Sequence, residues 1–229
     1  MTEPSESLAD LLRPVKHVLL DFDGPVCSVF AGFSAPDVAE SLRQALADLG
    51  WQAAAGGSVE TDPLALLRQV AEVRPDLVPA ADQRLTLLET EAVRSGRPNR
   101  EGEAVLRACA DSGRSVSIVS NNATAAIESY VEAHSLGRYV ARVIGRAPGD
   151  PSSMKPSPRL LLEAIQAEGG GLADSVFVGD AVRDVEAGLA AGIGTIGYAN
   201  KPGKRERLTG AGAVAVVDSM GAIAEALMG

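Results

Sequence analysis

The chain has 229 residues, 46% of them hydrophobic and 22% charged, which excludes a wholly disordered polymer and supplies a sizeable core. Thirty acidic against 21 basic residues leave a net charge of −9, which disfavours nucleic acid as a partner. Two cysteines, Cys27 and Cys109, are too few for a disulfide framework or a four-ligand zinc site, so a reduced, cytoplasmic setting is expected.

The first fifteen residues carry acids and no apolar h-region, so they do not read as a signal peptide. No run of 18 apolar residues follows, and no membrane span is expected. Residues 17–21 (HVLLD) predict a first strand. From about Cys27 to Pro98 no strand is expected, and three helical stripes appear instead. Val38, Leu42, Ala45, Leu46 and Leu49 form one. Asp62-Pro63 opens a second, with Leu64, Leu67, Val70 and Ala71. Leu85, Leu88 and Ala92 mark a third. About seventy residues is too long for a structureless loop. The stretch reads as a helical insertion, joined through linkers near residues 28–34 and 95–99.

Beyond it, Val105, Leu106 and Cys109 run to a stop at Gly113, and residues 116–120 (VSIVS) predict a second strand. Ile127, Val131 and His134 repeat at helical spacing before a third strand over 139–144 (YVARVI). Ser157 reads as an N-cap and Pro158 as the first helical residue, followed by Leu161, Leu162 and Ile165. Residues 176–180 (VFVGD) give a fourth strand, and Val182, Val185 and Leu189 a helix ending at Gly192. Residues 195–199 and 213–217 complete the set. Short apolar strands alternating with helices predict an α/β fold: a doubly wound, mostly parallel sheet with an inserted α-helical domain. The expected division is a core of residues 1–27 and 99–229 and an insertion of residues 28–98.

Open α/β sheets bind ligands beyond the carboxyl ends of their strands. There the first strand carries Asp21-Phe22-Asp23-Gly24, the second Ser120-Asn121-Asn122, and the fourth Gly179-Asp180 with Asp184 four residues on. Met154-Lys155-Pro156 precedes a helix. Asp-x-Asp-Gly, a strand-end Ser, Lys-Pro and Gly-Asp-x-x-x-Asp, in this order, resemble the four motifs of the haloacid dehalogenase-like superfamily. The resemblance runs from Lys16 to about Ala199. The helical insertion resembles a C1-type cap, as in phosphoglycolate phosphatase-like members, over a Rossmann-like core.

That resemblance implies a Mg²⁺-dependent phosphatase of small phosphorylated metabolites. Asp21 is then the nucleophile and Asp23 the general acid and base. Ser120, Lys155 and the backbone N–H groups of Phe22, Asp23 and Asn121 hold phosphate oxygens. Asp21, Asp180, the backbone carbonyl of Asp23, and Asp184 directly or through water, hold the ion. Asp23 argues against dehalogenation. A phosphonoacetaldehyde hydrolase needs a cap lysine, and the chain has none between Lys16 and Lys155. A phosphomutase shares all four motifs and remains the alternative, with a receiver-type signalling domain or a non-catalytic phosphate-binding relative behind it. Pro25 and Ser28 stand where relatives commonly carry Thr and Asp, which bears on substrate identity more than on reaction type.

The remaining residues carry blander expectations. Cys27 reads as a packed thiol, and His17 and His134 as structural. Trp51 and the Gly56-Gly57-Ser58 loop face either the substrate or the cap core. Arg43 and Arg68 read as solvated sooner than as binders of an anionic substrate tail. The KPGKRER run over 201–207 reads as a solvated loop with a rim role open to it.

Overall fold

The computed structural model describes residues 7–51 and 59–229; the Gly56-Gly57-Ser58 loop lies outside the described residues. The chain begins with α1 (Leu8–Leu12) and β1 (His17–Leu20), then β2 (Cys27–Ser28). The insertion follows as α2 (Ala35–Ala47), α3 (Pro63–Val73) and α4 (Val78–Ala92), and β3 (Arg97–Pro98) leads back. The core continues with α5 (Arg100–Asp111), β4 (Ser115–Ala123), α6 (Thr124–Ala133), β5 (Arg142–Arg146) and α7 (Arg159–Glu168). It closes with β6 (Ser175–Gly179), α8 (Val182–Ala191), β7 (Gly194–Tyr198), α9 (Lys204–Gly210), β8 (Ala215–Val217) and α10 (Met220–Met228). Local chemistry sets many boundaries. Ser34, Asp62 and Asn99 accept first-turn N–H groups of α2, α3 and α5, and Gly169 and Gly192 end α7 and α8 in the left-handed conformation.

The six-stranded sheet runs β5-β4-β1-β6-β7-β8, and every neighbouring pair is parallel. Alternating side chains of β1 feed both faces. Val18 and Leu20 pack with Val105, Leu106, Ile127, Tyr130 and Ile223 on one side. Leu19 packs with Val119, Phe177, Leu160 and Leu161 on the other. Strand order reverses between β1 and β6, and that switch point opens a crevice at their carboxyl ends. The helices of the insertion enclose their own apolar cluster, including Val38, Leu42, Leu67, Val70, Leu85 and Trp51. Met154, from the core loop before α7, also lies in it. No helix among the described residues is long and apolar enough to cross a membrane.

The structure corrects several sequence expectations. The two linkers are not strandless: Cys27 pairs with Pro98 and Ser28 with Arg97 in a short antiparallel ribbon. The third core strand begins at Arg142, because the Tyr139 N–H closes a turn on the Leu136 carbonyl. The last strand is confined to Ala215–Val217. Ser157 is not the N-cap of α7; Pro158 holds that place, and the buried face is Leu160, Leu161, Ala164 and Ile165, with Leu162 exposed. Leu49 and Leu189 are likewise exposed. His134 ends α6 at the surface, stacked on Tyr130. The KPGKRER run is not a loop throughout, since α9 starts at Lys204.

Candidate active site

β1 delivers Asp21 to the switch point, and the ladder continues one residue further through the Asp21 N–H to the Val178 carbonyl (2.9 Å). Lys155 reaches the same point from the loop before α7. Its Nζ lies 2.7 Å from Asp21 Oδ1 and 2.8 Å from Asp184 Oδ1, and donates to the Val119 carbonyl at 3.3 Å. The lysine is almost wholly buried. Burial works against its charge, but Asp184 and Asp21 outweigh it and hold its pKa above the ordinary lysine value. Its backbone is fastened as well. Asn121 Oδ1 accepts the Lys155 N–H (2.7 Å), while Asn121 Nδ2 (3.2 Å) and Arg68 Nη2 of α3 (2.9 Å) donate to the Lys155 carbonyl.

β6 supplies Asp180 and the first turn of α8 supplies Asp184. Asp184 Oδ2 accepts the N–H groups of Asp180 (3.1 Å) and Ala181 (2.9 Å), so it shapes the turn while its other oxygen meets Lys155. Asp180 Oδ2 takes bonds from Asn200 Nδ2 (2.9 Å) and Lys204 Nζ (2.6 Å). Two glycines make this crowding possible. A Cβ on Gly24, whose φ is +108°, would stand 2.5 Å from Asp180 Oδ2, and one on Gly179 would stand 2.5 Å from the Asp184 Cβ.

Asp23 faces the linker after β2, where its Oδ1 accepts the Val29 N–H at 3.0 Å. Burial pushes its pKa up to about 6 against the pull of that hydrogen bond, with Asp180 raising it further and Lys201 and Lys204 opposing. Burial also drives Asp21 well above the ordinary carboxylate range; Lys155 opposes, and Asp184 and Asp180 add.

β4 runs past the expected stop at Ser120 to Ala123, and Ser120 is buried within its carboxyl half, its Oγ 3.2 Å from both the Asn122 Oδ1 and the Asn122 N–H. Asn122 is fixed in turn by Glu89 of α4, which accepts from Asn122 Nδ2 (3.0 Å) and from the Ala123 N–H (3.0 Å). Arg146 from β5 offsets the buried Glu89 charge at 2.8 Å and also binds Asp82 at 2.5 Å. A buried network of this kind ties the insertion to the strand that carries Ser120.

One oxygen from each of Asp21, Asp180 and Asp184 falls within 4.8 Å of the others. Two ammonium groups, Lys155 and Lys204, face these three carboxylates and leave one negative charge uncompensated. An all-oxygen, anionic donor set fits a hard divalent cation such as Mg²⁺. The Asp23 carboxylate stands outside the trio. A cleft of about 240 Å³ joins Asp21, Asp23, Ser120, Asn121, Lys155, Asp180 and Asp184. The Phe22 ring is buried against Tyr130 and does not face the cleft.

Sequence reasoning named Asn122 at the strand end without giving it a role, and missed Glu89, Arg146, Asn200 and the contact of Lys204 with Asp180. Trp51 belongs to the core of the insertion. Arg43 pairs with Glu40 and the Glu60 carbonyl. Cys27 is buried, and burial pushes its thiol up to about 12.

A family model described as haloacid dehalogenase-like hydrolase matches residues 15–192. The plasmid phosphoglycolate phosphatase of Cupriavidus necator is 31% identical over 231 aligned residues, covering 94% of each chain. A solved structure titled a predicted phosphatase, from Clostridium acetobutylicum, matches with a TM-score of 0.70 and 18% identity over 92% of this chain and 97% of that one. Another, titled a predicted phosphoglycolate phosphatase, from Haemophilus somnus, matches with a TM-score of 0.63 and 18% identity over 91% and 96%.

Proposed function

The chain belongs to the haloacid dehalogenase-like hydrolase family, as an enzyme of the phosphoric monoester hydrolase kind, and we propose that it cleaves small phosphorylated metabolites with Mg²⁺ through an aspartyl-phosphate. The observation that carries this reading is the meeting of Asp21, Lys155, Asp180 and Asp184 at one strand switch point, beside Ser120 and Asp23.

Asp21 is the nucleophile. One carboxylate oxygen forms a bond to phosphorus as the ester P–O bond breaks. Asp23, whose pKa of about 6 leaves a protonated fraction near neutrality, gives its proton to the departing alkoxide. In the second half-reaction Asp23 takes a proton from the water that attacks phosphorus, and the Asp21 carboxylate leaves. The Ser120 hydroxyl and the N–H groups of Phe22, Asp23 and Asn121 hold the non-bridging oxygens, and Lys155 opposes their charge. Asp21, Asp180, the Asp23 carbonyl and Asp184, directly or through water, would hold the Mg²⁺, which supplies the positive charge that lets a carboxylate approach a phosphate dianion. The insertion acts as a cap that shields the cleft from bulk water. Two free, buried cysteines support a reducing, cytoplasmic setting.

Phosphate release from a panel of sugar phosphates, phosphoglycolate, nucleotides and pyrophosphate, with Mg²⁺ and with EDTA, tests the reading. Sustained, metal-dependent release from small monoesters is expected. Release from none of them, or equal release in chelator, contradicts it.

A further inference from the structure

Lys155 serves two of the three clustered carboxylates: its Nζ takes an oxygen of Asp21 at 2.7 Å and one of Asp184 at 2.8 Å. Asp180 is held from elsewhere, by the segment that follows β7. Lys204 Nζ lies 2.6 Å from Asp180 Oδ2, and Asn200 Nδ2 lies 2.9 Å from the same atom. The ion pair is sheltered, with 23% of the lysine side chain and 15% of the aspartate side chain exposed. Backbone closes a third side. A Cβ on Gly24 would fall 2.5 Å from Asp180 Oδ2 and 3.3 Å from Asn200 Nδ2.

Local structure accounts for neither donor. Lys204 is the first residue of α9, where a cation opposes the helix dipole, and Gly203 before it brings no side-chain cap. Asn200 keeps its amide nitrogen on Asp180 although its own Oδ1 is buried without a hydrogen-bond partner among the described residues. An unmet buried acceptor is destabilising, so the orientation is set by the carboxylate and not by the comfort of the amide. Each oxygen of an ionised carboxylate has about two lone-pair sites. Lys204 and Asn200 fill both on Oδ2, and no donor among the described residues reaches Oδ1.

We propose that Lys204 and Asn200 are positioning residues for the metal: they occupy Asp180 Oδ2, so that Asp180 meets the ion through Oδ1 alone, and this biases the site toward Mg²⁺ and away from the larger Ca²⁺. The assignment rests on the metal-dependent reading above. Mg²⁺ demands a near-octahedral shell and keeps several waters, whereas Ca²⁺ takes about six to eight oxygens and readily accepts both from one carboxylate. With Oδ2 filled, Asp180 has no second oxygen to give. The Lys204 charge also weakens the attraction of the site for any divalent ion, by an amount that is the same for both at equal distance. Selectivity therefore comes from the occupied oxygen, and affinity from the charge.

Isothermal titration calorimetry of the chelator-treated full chain with MgCl2 and with CaCl2 tests this without turnover. Lys204→Met should tighten both ions, Ca²⁺ more than Mg²⁺, and so move the ratio of the two dissociation constants toward Ca²⁺ by about threefold or more, the scale of one hydrogen bond. Asn200→Ala should move the ratio the same way by a smaller factor, and it carries the test should circular dichroism show the methionine variant unfolded. Lys201→Met is the control. It removes a positive charge from the same segment and no hydrogen bond to Asp180, so it should shift both constants together and leave their ratio unchanged. A ratio unmoved in Lys204→Met and in Asn200→Ala, or moved as far by Lys201→Met, overturns the positioning role and leaves the phosphatase reading standing. A wild-type protein that binds neither ion and releases phosphate equally in EDTA overturns both.

Discussion

Glu89 of α4 and Asn122 of β4 are joined by a 3.0 Å hydrogen bond between two buried side chains, one from the insertion and one from the core. The Oδ1 atom of the same asparagine lies 3.2 Å from Ser120 Oγ. The insertion therefore orients the side chain that orients the Ser120 hydroxyl, which the proposed mechanism sets on a phosphate oxygen. Arg146 holds the Glu89 charge in place, and Asp82 completes the pairing.

Glu89→Gln leaves Arg146 paired with Asp82 but takes away one of the two oxygens that accept from Asn122 Nδ2 and the Ala123 N–H, and an unmet buried donor costs about 1–3 kcal/mol. The variant should be destabilised by about that amount in urea unfolding, and it should raise KM for any phosphate ester. A variant of wild-type stability and wild-type KM would show that the Glu89–Asn122 link positions nothing.

Asp23→Asn should lower kcat by about 10²-fold or more for alkyl phosphates, from the usual size of general acid–base catalysis. The loss should be much smaller for p-nitrophenyl phosphate, whose leaving group departs without a proton. Equal losses for both esters would remove proton donation from the role of Asp23.

Gly24→Ala combines a strained backbone with a Cβ placed 2.5 Å from Asp180 Oδ2. Asp180 must move, and Asn200 and Lys204 move with it. The expected result is a folded protein with a raised Mg²⁺ requirement and at least tenfold lower activity at limiting metal, measured by Mg²⁺ titration of phosphate release. An unchanged titration curve would detach Asp180 from the metal.

His17 is buried beside Ser117, its Nε2 2.9 Å from the hydroxyl. Burial lowers its pKa below the ordinary 6.5, with Glu168 and Asp174 opposing. Below pH ~6.5 the unfolded chain takes up a proton that the folded chain refuses, so stability falls with pH from there toward the lowered folded value. His17→Gln should remove this part of the slope. Unfolding free energies at pH 7.5 and pH 5 should differ less in the variant than in the wild type; an equal difference in both would refute the assignment.

Much of this architecture was legible because each strand is a short apolar run and three of the candidate site residues lie at or near a strand's carboxyl end. Asp21, Ser120 and Asp180 could be placed at strand ends without knowing the strand order. What the residues did not disclose are contacts between distant segments. Glu89 and Arg146 look like ordinary solvated charges until α4 is laid against β4 and β5. Lys204 reads as part of a basic surface run until the turn after β7 carries it back to Asp180. Leu162 and Leu189 misled for a simpler reason: neighbouring apolar residues supply more hydrophobic surface than one helix face can bury.

The account depends most on Asp21 being the atom donor to phosphorus. Acid-quenched single turnovers with a radiolabelled phosphoryl group, followed by proteolysis and mass spectrometry, address it directly. The predicted result is transient label on the peptide containing Asp21, absent in Asp21→Asn, whose turnover falls below about a thousandth of the wild-type rate. Label found only in free phosphate at every quench time, with Asp21→Asn turning over at near wild-type kcat, would contradict it.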